Sequence, residues 1–169
     1  FSSDEQIFEP TDFNIVVKNV LSDLEVVIGD ARAIINAEPL PTIDANESQM
    51  QQLFQNIISN GIKFCKNGSK PVVNIACNII ASTQLPKTYL EQITYKFSTV
   101  GTSNLVENEK FCRVTISDNG IGFNNEYEYK IFEVFQRLQT KGKFDGTGIG
   151  LAICKKIVEN HDGIIWAKG

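Results

Sequence analysis

The sequence predicts an α/β (α+β) fold, a mixed β-sheet with helices on one face. Three observations carry this. Apolar residues recur at helical spacing in two separate stretches near the amino terminus. Two strand-like runs, Val72 to Ala81 and Phe111 to Ser117, follow one another as hairpin-type neighbours. A glycine-led helical pattern then closes the chain ahead of one more short apolar run.

The 169 residues are enough for one domain with a core. Residues 1–11 show no period and read as a linker. From Asp12 to Ile28 the positions Phe13, Val16, Val17, Val20, Leu21, Leu24, Val27 and Ile28 share one helical face, with Thr11 or Asp12 placed to cap and Gly29-Asp30 placed to stop it. Ala33-Ile34-Ile35 reads as a short strand and Pro39-Leu40-Pro41 as a breaker. A longer helix is expected from Ala45 to Lys66, closed by Asn67-Gly68. The polar stretch from Ser82 to Lys110 is too long for an ordinary turn, so an extended, mobile hairpin or surface insertion is expected there. A short helix is expected over Tyr127 to Gln136, a Lys-, Gly- and Thr-rich loop over Arg137 to Thr147, a helix over Gly148 to Asn160 and a strand over Gly163 to Ala167.

Composition narrows the function. With 42% hydrophobic and 21% charged residues the chain reads as a soluble globular domain. A net charge of -4 argues against nucleic-acid binding, which needs a basic surface. No apolar run approaches the ~18 residues of a membrane span, so no direct membrane contact and a cytoplasmic location are expected. Cys65, Cys77, Cys112 and Cys154 form no C-x-x-C pair and read as buried free thiols.

Three short motifs carry chemistry. On the second helix Gln52, Asn56, Asn60 and Lys63 fall in one sector bordering the apolar arc of Met50, Leu53, Phe54, Ile57, Ile58, Gly61, Phe64 and Cys65. An amide oxygen in that stripe can complete the shell of a nucleotide-bound Mg2+ without repelling the phosphates, and Lys63 can meet a phosphate. An amphipathic helix with a polar edge explains the same pattern. Strand alternation puts Asp118 on the side of Cys112, Val114 and Ile116, where an inward carboxylate needs a donor such as the adenine amine. Gly120 and Gly122 would let the backbone approach a flat ring, although Asp118-Asn119-Gly120 is also a turn signal. Gly146-Thr147-Gly148-Ile149-Gly150-Leu151 opens a helix without a preceding strand, so it is neither a dinucleotide fingerprint nor a P-loop. Its amides can receive phosphates beneath a lid carrying Arg137, Lys141 and Lys143; a solvated basic loop is the alternative. Together the motifs point to a nucleotide pocket for ATP with magnesium.

Four boxes in order resemble the ATP-binding catalytic domain of sensor histidine kinases, within the gyrase, chaperone, kinase and mismatch-repair ATPase superfamily. Leu53 to Phe64 is similar to the N box, Asp118 to Phe123 to the G1 box, Ile131 to Leu138 to the F box, and Gly146 to Glu159 to the G2 box. The resemblance implies a two-layer sandwich, a mixed sheet backed by about three helices, the Bergerat ATP-binding fold with a mobile lid. It implies that residues 1–11 lead from an upstream dimerisation region and that residues 12–169 are the ATP-binding domain. It assigns Mg2+ to Asn60 and Asn56, phosphate contacts to Lys63 and Arg137, the ring edge to Phe64 and the adenine amine to Asp118. Gly146, Thr147, Gly148, Gly150 and Leu151 would shape the lid hinge and phosphate site, and Phe132 and Phe135 would anchor the lid. Gly61 stands where alanine is usual and Asp162 where glycine is usual. Family members add a strand beyond the one ending near Ala167, so a sheet edge left unpaired is expected.

The resemblance further implies transfer of the ATP γ-phosphoryl group to a histidine on a separate dimerisation domain of the same protein, then to the receiver domain of a response regulator. Clamp-type relatives carry a glutamate general base at the position of Asn56, a role an amide cannot fill. The alternatives are a regulatory ATP-binding module without transfer activity and a clamp-type ATPase. His161 is not expected to be the phosphoacceptor, and the isolated chain is expected to autophosphorylate little or not at all.

Overall fold

In a computed structural model of the chain the described residues are 7–85, 87, 110–128, 130–133 and 148–169. Two sheets organise them. Strand β1 (Glu9–Asp12) pairs antiparallel with β3 (Thr42–Ala45), Glu9 opposite Ala45 and Asp12 opposite Thr42. Glu9 to Thr11, expected to run as linker, therefore belong to a strand. Its anchor is Thr11, buried with its Oγ1 3.0 Å from the Ala45 carbonyl.

The larger sheet has the order β2-β4-β5. β2 (Ile34–Ala37) runs parallel to β4 (Val72–Ala81), which runs antiparallel to β5 (Lys110–Asp118). The sheet is mixed, as expected. Alternation explains its buried face: Val73 and Ile75 of β4 are shielded, and Val114 and Ile116 of β5 pack against the same core.

Helix α1 (Phe13–Asp23) opens where Asp12 caps it, its carboxylate accepting from Asn14 N at 2.8 Å. The long helix expected to Ile28 breaks at Leu24 and resumes as α2 (Glu25–Ala31). Gly29 and Asp30 lie inside α2, and Arg32 instead terminates it in the left-handed region at φ 53°. Helix α3 (Glu47–Lys63) is capped by Asn46, whose Oδ1 accepts from Gln49 N at 3.0 Å. It ends three residues before the expected Lys66, and Gly68 (φ 80°) serves the turn that follows. Helix α4 spans Gly150–Asn160.

α1 and α4 both pack on α3, and α3 lies on β4 and β5. Phe13, Val16, Val17 and Val20 of α1, Met50, Phe54, Ile58 and Ile62 of α3, and Ile157 of α4 share one core with Val73 and Ile75. Phe54, 2% exposed, stacks edge-on against Phe13 with ring centroids 5.5 Å apart. Helices thus back the sheet in an α+β sandwich.

Two further expectations are corrected. The described part of Tyr127 to Gln136 forms 3-10 turns at Asn125–Tyr127 and Lys130–Phe132 in place of one α-helix, and Ile131 and Phe132 are buried there. Gly163 to Ala167 forms no strand of the described sheets; Ile164 and Trp166 instead pack against Ile80, Leu85 and Phe111. The expected insertion begins with a 3-10 turn, Ser82–Gln84, and, apart from Leu85, Lys87 and Lys110, otherwise lies outside the described residues. Among those residues, no helix is long and apolar enough to cross a membrane.

Candidate nucleotide site

The candidate site is built on the polar edge of α3. Asn56 and Asn60 are half-buried, Lys63 is exposed and Phe64 half-buried at the C-cap, matching a stripe that borders the core. The Lys63 ammonium lies 5.4 Å from the centre of the Phe64 ring, a cation–π contact at the end of the helix.

Two other elements meet α3 along this edge. Asp118, the last residue of β5, comes against Gly61: a methyl group on Gly61 would lie 3.3 Å from the Asp118 Cβ and 3.7 Å from its Oδ2. Gly150, the first residue of α4, comes against Asn56, whose Nδ2 donates to the Gly150 carbonyl at 3.4 Å. One helix edge is therefore flanked by the strand-end carboxylate near its C-terminus and by the start of the glycine-led helix one to two turns earlier.

The Asp118 carboxylate is exposed, which corrects the expectation of an inward, buried acid. Its parity is right, since Val114 and Ile116 reach the core and its partner across the ladder is the buried Val73, yet Asp118 itself, the last residue of the strand, stays open to solvent. Gly120 N donates to its Oδ1 at 2.7 Å, leaving Oδ2 on the Gly61 side as an acceptor.

Gly120 is required by close approach. A Cβ there would meet Asp118 Oδ1 at 2.5 Å and the Phe64 carbonyl at 2.8 Å. Ile121 N donates to that same carbonyl at 2.9 Å, tying the loop to the end of α3. Gly122 follows at φ 65° and Gly148 stands at φ 69°, both in the left-handed region that favours glycine. Leu151 is half-buried on α4. Arg137, Lys141, Gly146 and Thr147, with Lys143 and Phe135, lie outside the described residues.

Sequence reasoning missed Asn119. Its Oδ1 accepts from Val72 N at 2.9 Å and its Nδ2 donates to the Lys70 carbonyl at 2.9 Å. One amide therefore fixes the start of β4 against the loop after β5. The signal was present in Asp118-Asn119-Gly120, but reading it as a turn hid the bridging role.

His161 is committed elsewhere. Asn46 N donates to its Nε2 at 3.0 Å, so its Nδ1 carries the proton and donates to the Ile157 carbonyl at 2.7 Å. Phe8 packs edge-on against the ring. The four cysteines are free thiols, as expected, but only Cys154 is buried; the other three are half-exposed at the edges of the packing.

Residues 45–169 match the model of the histidine kinase-, DNA gyrase B- and HSP90-like ATPases. The chain belongs to this ATPase family. Cyanobacterial phytochrome A of Nostoc sp. (strain PCC 7120 / SAG 25.82 / UTEX 2576) is 35% identical over 161 residues, covering 95% of the chain and 17% of that protein. The chain thus spans about a sixth of the length of such a relative. Among solved structures, full-length ShkA in complex with AMPPNP superposes with a TM-score of 0.66 at 23% identity, over 99% of the chain and 29% of that protein. Histidine kinase ThkA in complex with response regulator protein TrrA superposes with a TM-score of 0.59 at 18% identity, over 96% of the chain and 38% of ThkA. At such identities the structural likeness establishes the fold, that of the histidine kinase ATP-binding domain.

Proposed function

We propose that this chain is the Mg-ATP-binding catalytic domain of a sensor histidine kinase. It donates the γ-phosphoryl group to a histidine on a dimerisation domain of the same protein, for relay to an aspartate of a response-regulator receiver domain. The ATP-binding unit includes β1, which Glu9–Asp12 form against β3, and the residues ahead of β1 connect it to that dimerisation region. The protein acts in the cytoplasm.

The convergence on α3 supports this reading. The Oδ2 of Asp118 accepts from the adenine amine, while the Gly120 and Gly122 backbone admits the ring beside Phe64. Lys63 with Arg137 and Lys141 neutralises phosphate charge, and Gly146, Thr147, Gly148, Gly150 and Leu151 form the hinge over the phosphates.

The donor set fits magnesium. Mg2+ prefers oxygen ligands and keeps much of its shell from water and phosphate. Asn56 uses its amide nitrogen on the Gly150 carbonyl, which leaves its carbonyl oxygen for the cation beside Asn60. The ion supplies charge neutralisation between the phosphates. This chain's own residues hold, orient and shield the nucleotide, because phosphoryl transfer depends on positioning and charge more than on covalent chemistry.

Asn56 separates transfer from hydrolysis. An amide cannot take a proton from water, so a clamp-type ATPase mechanism lacks its general base here. His161, held at both ring nitrogens, is a structural residue, and the acceptor must come from another domain. The experiment is incubation with γ-labelled ATP, with and without a separately supplied dimerisation domain. Label is expected on the added histidine domain only. Strong labelling of the isolated chain would overturn the assignment of the acceptor, and steady phosphate release without any acceptor would favour the clamp-type reading.

A further inference from the structure

Outside the nucleotide site, one pair of reactive side chains meets at close range. Cys77 of β4 and Cys112 of β5 have their Sγ atoms 3.1 Å apart. They are diagonal neighbours on one face of the antiparallel pair, Cys77 lying opposite Val114 and Cys112 opposite Ile79. The right-handed twist of paired strands brings one such diagonal together. The gap is about 1 Å longer than the ~2.05 Å of a disulfide bond, and because diagonal partners stand farther apart than directly opposed ones, closing it takes a local shift of the strands as well as of the side chains. Both residues are half-exposed and reduced.

We propose that Cys77 and Cys112 are a redox modification site that closes to a cross-strand disulfide when a small-molecule disulfide such as oxidised glutathione is in excess. The Cys77 thiolate attacks one sulfur of the oxidant and expels a glutathione thiolate, which takes up the proton. Cys112 then attacks the Cys77 sulfur of the mixed disulfide and expels the second glutathione with its proton. Two protein thiols are oxidised and one glutathione disulfide is reduced to two thiols. Burial, then the hydrogen bond and charge of Cys77, push the Cys112 thiol up to about 12. Once Cys77 carries the mixed disulfide, its hydrogen bond and charge no longer hold the Cys112 proton, and the short gap between the two sulfurs suits Cys112 to the closing step.

The pair does not depend on the nucleotide reading. It lies on the same face of β5 as Asp118, at the far end of the row Cys112, Val114, Ile116, Asp118. The bond would fasten the two strands at the base of the connection from β4 to β5 and leave the Asp118 end free to bind.

The test is oxidation of the folded 169-residue chain with glutathione disulfide, an acid quench, alkylation and peptide mapping. The expected product has lost two hydrogens, alkylates at two of its four thiols, and yields a peptide joining Cys77 to Cys112. Its Tm should rise by roughly 5–10 °C because the unfolded chain becomes looped. Cys77→Ser should abolish both the linked peptide and the Tm rise. Full alkylation of the oxidised sample, a stable glutathione adduct, linkage through Cys65, or an equal Tm rise in Cys77→Ser would each overturn the proposal.

Discussion

Gly61 on α3 faces Asp118 at the end of β5 at close range: a methyl group on Gly61 would stand 3.0 Å from Val73 Cγ2 and 3.3 Å from Asp118 Cβ, so these neighbours would have to give by a few tenths of an ångström to admit it. Helix and strand thereby fix where the carboxylate stands, and Gly120 N takes its Oδ1. Its Oδ2 lies toward Gly61 and can accept from an incoming donor.

Asp118→Asn keeps the shape and, on the proposed reading, would offer the base a weaker acceptor. A hydrogen bond to a charged group contributes about 1.5–3 kcal/mol, so ATP affinity should fall on the order of tenfold or more. Calorimetric titration with ATP and GTP checks this. Unchanged ATP affinity would remove the adenine assignment.

On the proposed reading, Asn60→Asp would bring a negative charge to the metal side of the triphosphate. Binding of Mg-ATP should become weaker, and its dependence on magnesium concentration should change. Titrating ATP at several magnesium concentrations is the measurement. Superimposable curves for variant and parent would move the metal away from Asn60.

Asn119→Ala deletes the two hydrogen bonds that its amide makes to backbone, with Val72 N and the Lys70 carbonyl, and the longer one that it accepts from Cys65 Sγ. Leaving these backbone groups to water should lower stability by about 1–2 kcal/mol, as read by urea denaturation. Hydrogen exchange should quicken at Val72. A protected Val72 amide in the variant would mean that the amide bridge is dispensable.

His161→Ala removes the acceptor of Asn46 N and the donor to the Ile157 carbonyl, uncoupling the end of α4 from the start of α3. A stability loss of about 1–3 kcal/mol is expected. Phosphoryl transfer to a supplied dimerisation domain should persist. Loss of transfer by a variant that remains folded and binds ATP would give His161 a role in the chemistry.

Cys154 makes stability depend on alkaline pH. Burial pushes its thiol from an ordinary 9.0 up to about 11, a first cause only partly offset by hydrogen bonding from Asn56 and its own backbone. The unfolded chain releases this proton first, so unfolding becomes easier as pH rises. The contribution is complete below about 9 and is lost by about 11, on the order of 2 kcal/mol. Denaturant midpoints between pH 8 and 11 should fall in the parent and fall less steeply in Cys154→Ser, compared as slopes because the variant starts lower.

Locally encoded features are legible in the sequence alone. β4 is predicted with its observed ends because its apolar run is long, and β5 differs by one residue at each end. The polar stripe of α3 was visible because helical spacing alone assigns residues to a sector. The glycines of the loop after β5 were equally readable, since close approach and left-handed backbone leave few other residue types.

Tertiary structure decided what depends on distant partners. β1 and β3 are four-residue strands without a usable period, and each forms only because the other lies opposite. Alternation gives Asp118 its side of the sheet, opposite the buried Val73, but not how far neighbouring elements cover it, and in the fold it is left exposed. The bonds of Asn56 to Gly150 and of His161 to Asn46 join residues 94 and 115 positions apart. Periodicity describes a face, whereas a site needs the distances between faces, and packing alone sets those.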